Sequence, residues 1–183
     1  GVAAILALAQ EIATRPLSHA VIIAFFDAEE LGLRGSWAYV NQAGFNPGKL
    51  AFMLNLDMVG RGDKGELYAS GSYHFPPFAE LVQQVAAQAA VTVVRIGHDR
   101  PEQAEHDWTK QSDHYPFFSK GVPYLYFGVE DHADYHGPGD TADKIPADFY
   151  YATVQFLQRL IYRIDADLSA GTLKLATDTK TTP

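Results

Sequence analysis

The sequence predicts an α/β fold with a mostly parallel sheet. Two observations carry that prediction. Short apolar runs of strand length alternate along the chain with longer segments of helical period, the pattern of β–α units. Acidic side chains fall where several apolar runs stop, and in α/β sheets ligands bind at the carboxyl ends of strands. The 183 residues, 47% of them hydrophobic, suffice for one domain with a sizeable core.

Taken in order, residues 2–13 read as a helix, with Ile5, Leu8 and Ile12 on one face and alanines between. Residues 20–27 read as a buried strand, which delivers Asp27-Ala28-Glu29-Glu30 to its end. Residues 35–43 read as a helix that turns Trp37 and Val40 inward. Residues 50–56 read as a second buried strand ending on Asp57, and 66–70 as a short one. Residues 76–90 make a helix whose prolines fall in the first turn, where a missing N–H is tolerated. Residues 91–96 are rich in β-branched side chains and predict a strand. A polar loop over 98–111, a short helix over 115–120 and an apolar strand over 123–128 follow. A loop of Gly, Asp and His then runs to Asp143. Residues 149–168 predict a long amphipathic helix, buried along Phe149, Phe156, Leu160, Ile164 and Leu168. The organisation is one domain over 1–168 and a polar tail over 169–183.

Charge and composition exclude several functions. A net charge of −8, with fourteen basic residues that never form a run, argues against a nucleic-acid partner. No apolar stretch has the length of a membrane span, and no membrane partner is expected. With no cysteine, disulfides, thiolate metal sites and a cysteine nucleophile are excluded.

The candidates for chemistry are Glu29 and Glu30, then Asp57, then His136, each past an apolar run. Glu, Asp and His are all zinc ligands, and one of two adjacent carboxylates can bind a cation while the other handles a proton. Singly, each has an ordinary reading. Glu29-Glu30 suits a helix first turn, Asp57 a turn former, and His136 beside Gly137-Pro138 a surface histidine. Their co-occurrence favours a metal site. Five of the seven histidines lie between 98 and 136, which marks that region as a site wall. Ser112-Asp113-His114 is no triad, because adjacent side chains cannot adopt that geometry. His132 and His136 lack the intervening Glu of the helical zinc-protease motif.

A series of motifs follows in a familiar order: Phe25-Phe26-Asp27-Ala28-Glu29-Glu30-Leu31-Gly32, Asn55-Leu56-Asp57-Met58-Val59-Gly60, Ser112-Asp113-His114-Tyr115-Pro116-Phe117, Asp134-Tyr135-His136 and Asp140-Thr141-Ala142-Asp143. The chain resembles the two-zinc aminopeptidases, a family that includes bacterial leucyl aminopeptidases, with glutamate carboxypeptidase and glutaminyl cyclase as distant relatives. The resemblance implies a three-layer α/β/α sandwich of the zinc-exopeptidase kind, with a mostly parallel mixed sheet. It implies Glu29 as general base, Glu30 and His136 as ligands of one zinc, Asp57 as ligand of the other, and Tyr135 as oxyanion donor. Asp113 and His114 would support the site from behind.

The departures set further expectations. The family's upstream His-x-Asp and its bridging Asp have no counterpart, since Gly1-Val2-Ala3-Ala4 matches a later helix opening. The first strands are therefore expected to be missing, leaving an open edge, a homo-oligomer or poor solubility. The zinc site is expected to be incomplete and activity impaired, unless His132 or Asp134 completes it. Some relatives place a substrate-binding Arg before Ser-Asp-His, where this chain has Gln111. The reading is a zinc exopeptidase domain acting on peptides, most simply an aminopeptidase, from an extracytoplasmic parent. The alternatives are a glutaminyl cyclase-like acyltransferase and a non-catalytic domain of the same fold.

Overall fold

The structure, a computed structural model, describes residues 1–89 and 93–175. Its elements run α1 (Val2–Thr14), α2 (Arg34–Asn41), β1 (Met53–Leu56), β2 (Glu66–Ser70), α3 (Pro77–Ala86), β3 (Val93–Ile96), α4 (His114–Ser119), β4 (Tyr124–Gly128) and α5 (Ala147–Ser169). The described strands form a four-stranded sheet in the order β1-β4-β2-β3. β1 pairs β4 and β2 pairs β3 in parallel, while β2 and β4 are antiparallel, so the sheet is mixed.

Strand alternation sorts β4 between two layers. Tyr124 and Tyr126 face α4, where His114 lies 4.5 and 4.9 Å from their rings. Phe127 faces α5, against Phe156 at 5.5 Å. The α1 and α3 helices pack with α5, and α2 packs with α4. On α5 the stripe Phe149, Phe156, Leu160 and Ile164 is buried as its period predicts, while Leu168 is half-buried. A smaller cluster of Val40, Phe117 and Val122 fills the space under α2.

One expected element does not form. Residues 20–27 make no strand, and Ile22 and Phe25 are 63% and 51% exposed. A strand exists by its ladder, and among the described residues no strand pairs with this segment. Only Phe26 packs well, against Tyr39 and Phe117. The neighbouring expectation is trimmed for a related reason. β4 enters the ladder at Tyr124 opposite Met53, so Leu50, Ala51 and Phe52 have no partner there. The polar stretch after His98 contains two 3₁₀ segments, Pro101–His106 and Trp108–Lys110. Residues 90–92 of the predicted helix and strand, and 176–183 of the predicted tail, lie outside the described residues.

Candidate functional site

The Asp57 loop leaves β1 and the Tyr135–His136 loop leaves β4, its parallel neighbour, so both emerge on one side of the sheet. Backbone joins them at the start, with Val129 N–H donating to Met58 O at 2.8 Å. Glu29 and Glu30 arrive differently, on the single 3₁₀ turn Glu29–Leu31. The chain doubles back around that turn, and Gly35 N–H donates to Asp27 O at 3.0 Å. A Cβ at Gly35 would come within 2.5 Å of that oxygen, so glycine is needed there. Ala28 and Leu33 on either side, and His136 across the cleft, all have left-handed φ of 53–57°. For non-glycine residues such backbone costs on the order of 1 kcal/mol each, and it clusters at functional sites.

All five candidate residues, Glu29, Glu30, Asp57, Tyr135 and His136, line one open cleft of about 460 Å³. His136 Nε2 meets Glu30 Oε1 at 2.9 Å. Tyr135 stacks on the His136 ring at 3.9 Å. Burial pushes the Glu29 carboxyl up to about 7, helped by the charges of Asp57, Glu30 and Asp113, with His136 opposing. That is close to the value a general base needs at neutral pH. Burial likewise raises the Tyr135 hydroxyl, with Asp131 and the cleft carboxylates adding to it. The Asp113 carboxyl is also raised by burial, and its Oδ1 has no partner among the described residues.

Asp57 is held from behind by a hydrogen-bonded chain. Ser112 Oγ donates to Asp57 Oδ2 at 2.7 Å, and Asn55 Nδ2 donates to Ser112 Oγ at 2.9 Å. Asn55 also lies 3.3 Å from His114 Nδ1, and His114 Nε2 lies 3.0 Å from Trp108 O. Nε2 therefore carries the proton and Nδ1 accepts, the neutral form that full burial favours by lowering the His114 pKa to about 3.

The sequence reading of these residues needs one correction and several additions. Glu29 and Glu30 stand on a turn after an unpaired segment, not at a strand end. Glu30, Asp57 and His136 share the cleft, but among the described residues no three His, Asp or Glu side chains form a metal-holding group. A catalytic zinc takes three protein donors. Glu30 and His136 meet at 2.9 Å, and Asp57 lines the same cleft. His132 and Asp140 line the cleft, while Asp134 points away to Lys144 and Arg61. The apolar wall of Met58, Trp108, Tyr126 and Val129 was not foreseen. The alternating Tyr124-Leu125-Tyr126 of β4 was the available signal for Tyr126. Of the five histidines in the expected wall, His132 and His136 line the cleft, and His98 stands behind it, stacked on Trp108 at 3.8 Å.

Comparison with known proteins decides the family. The profile of Peptidase family M28 matches residues 1–160. The chain belongs to that family. Among solved structures it is similar to an aminopeptidase from Aneurinibacillus sp. strain AM-1, with 25% identity and a TM-score of 0.71 over 88% of this chain and 37% of that one. It is similar in fold to BSAP, a zinc aminopeptidase from Bacillus subtilis, with 24% identity and a TM-score of 0.71 over 88% of this chain and 40% of that one. The LapA structure from Legionella matches at 18% identity and a TM-score of 0.62, over 92% of this chain and 46% of that one. No curated protein matches. The chain thus spans less than half the length of each of these structures.

Proposed function

We propose that this M28 chain carries residues of a zinc-dependent exopeptidase site, and that the full protein removes amino-terminal residues from peptides. The observation that supports this best is the convergence of Glu29, Glu30, Asp57, Tyr135 and His136 in one cleft. Glu30 and His136 would hold one zinc and Asp57 the other, and the metal would supply an activated water. Glu29 takes the proton of the attacking water, a role suited to a carboxyl with a raised pKa. The Tyr135 hydroxyl donates to the oxyanion of the tetrahedral intermediate. The substrate is a peptide, and an extracytoplasmic parent, periplasmic or secreted, fits the bacterial aminopeptidase resemblance. No described helix is long and apolar enough to cross a membrane.

Because the described donor set is incomplete, the 183-residue chain is expected to bind zinc weakly and to turn over slowly. The test compares it with the full parent protein for zinc content and hydrolysis of a leucyl anilide. The parent should be active, and Glu29→Gln in the parent should abolish most of that activity. Equal zinc-dependent turnover by the 183-residue chain would show that other side chains complete the site. An inactive parent that cyclises amino-terminal Gln would replace the peptidase reading with the cyclase one.

A further inference from the structure

We propose that Arg61 is a positioning residue that locks the loop bearing Tyr135 and His136 onto the loop bearing Asp57. Arg61 lies four positions past Asp57, and its side chain is only 10% exposed. It reaches both sides of the Tyr135–His136 pair. Nη2 donates to Asp134 Oδ2 at 3.1 Å and Nη1 to Asp140 Oδ1 at 2.9 Å. On its own loop it is anchored to Asp63, through Nε at 3.2 Å and Nη2 at 3.0 Å. These bonds occupy four of the five guanidinium N–H groups. A lysine, with one point charge and no planar fork, could not make all of them.

The rest of the loop explains why such a clamp matters. Its own backbone bonds are short-range, from Tyr135 N to His132 O, Gly137 N to Asp134 O and Asp140 N to Gly137 O. These give it shape but do not attach it to the sheet. Lys144 holds the second oxygen of Asp134 at 2.8 Å, from within the same segment. Val129 N to Met58 O fixes the loop where it begins. Arg61 supplies the attachment at the far end. His136 has a left-handed φ of 53°, a conformation that persists only when its surroundings over-determine it. Asp134 and Asp140, held on one rigid cation, bracket that residue. Two loops that each carry a candidate ligand are thereby kept in register by one side chain.

The inference rests on the reading of Tyr135 and His136 as site residues, but its first readout does not. Amide hydrogen exchange is measured on the metal-free chain for wild type, Arg61→Met, Arg61→Lys and Asp140→Asn. Loss of the clamp should raise exchange across 134–140 by about tenfold or more, while β4 and α5 amides keep their protection. Arg61→Lys should fall between wild type and Arg61→Met. Asp140→Asn leaves the cation in place and weakens one tie by removing its charge, so it decides the matter if Arg61→Met does not fold. The second readout is zinc affinity by chelator competition. It should weaken by about tenfold or more in Arg61→Met, the usual size of an effect transmitted through a ligand's support. Unchanged loop exchange in the variants would overturn the clamp. So would a uniform rise across β4 and α5, which would make Arg61 a general stabiliser. A wild-type chain that binds no measurable zinc is within what its incomplete donor set allows, and loop exchange then decides the clamp alone.

Discussion

At the scale of single residues, the cleft floor depends on side chains that never reach solvent. Ser112 is 3% exposed, donates to Asp57 and accepts from Asn55. Ser112→Ala should cost about 1–3 kcal/mol in urea unfolding, because it strips the buried Asn55 amide of an acceptor and Asp57 of a donor. Loss below about 0.5 kcal/mol would mean the chain of bonds is not sustained in solution. His114 gives a pH prediction with a defined sign. Its folded pKa of about 3 lies below the ordinary 6.5, so below pH 6.5 the unfolded chain binds a proton that the fold cannot. Stability should therefore fall as pH drops from 6.5 toward 3, by about 1.4 kcal/mol per pH unit from this group alone. His114→Gln should remove that share of the slope, and parallel slopes for wild type and variant would refute the buried neutral state. The motif Ser112-Asp113-His114 was visible in the sequence. That Ser112 meets Asp57, 55 positions away, was not, because the contact is made by the sheet and not by local spacing. Arg61 was invisible for the same reason, since Arg61-Gly62-Asp63 reads only as a turn.

At the scale of elements, the sequence read well wherever an element carries its own reason to form. Strand β2 matches its expected bounds, Glu66–Ser70, and α1 and α5 match within two residues at each end. Their periodic faces bury against the sheet, and α5 supplies the most. Leu160 is fully buried, so Leu160→Ala should destabilise by about 2–5 kcal/mol, read as a lower urea midpoint. A loss under 1 kcal/mol would place that face outside the cooperative core. Residues 20–27 failed because their sequence encodes only half of a strand. β-branched and aromatic side chains favour extended backbone, but the ladder must come from a neighbour. The segment still performs its other task, since Phe26 packs on Tyr39 and Phe117 and so seats the turn that carries Glu29 and Glu30.

At the scale of the whole molecule, the sheet has an unfilled side. Among the described residues β1 pairs only with β4, so its other edge offers unpaired N–H and C=O groups. The chain also exposes Val21, Ile22, Ile23 and Phe25, an apolar run of strand-like sequence. An open edge and an exposed β-prone segment are the two features through which chains pair with one another. We therefore expect the chain to self-associate, as a dimer or larger species, through this side of the sheet. Light scattering should show a mass that rises with concentration, and an apolar dye should bind. The double variant Ile22→Lys, Phe25→Lys should suppress both effects. Neither side chain is in the core, so unfolding free energy should change by no more than about 0.5 kcal/mol per site. Neither Ile22 nor Phe25 lines the cleft, so the charged variants should leave zinc uptake as it was. A chain that stays monomeric and dye-free at all concentrations would mean that this edge is already protected, and the self-association argument would fall.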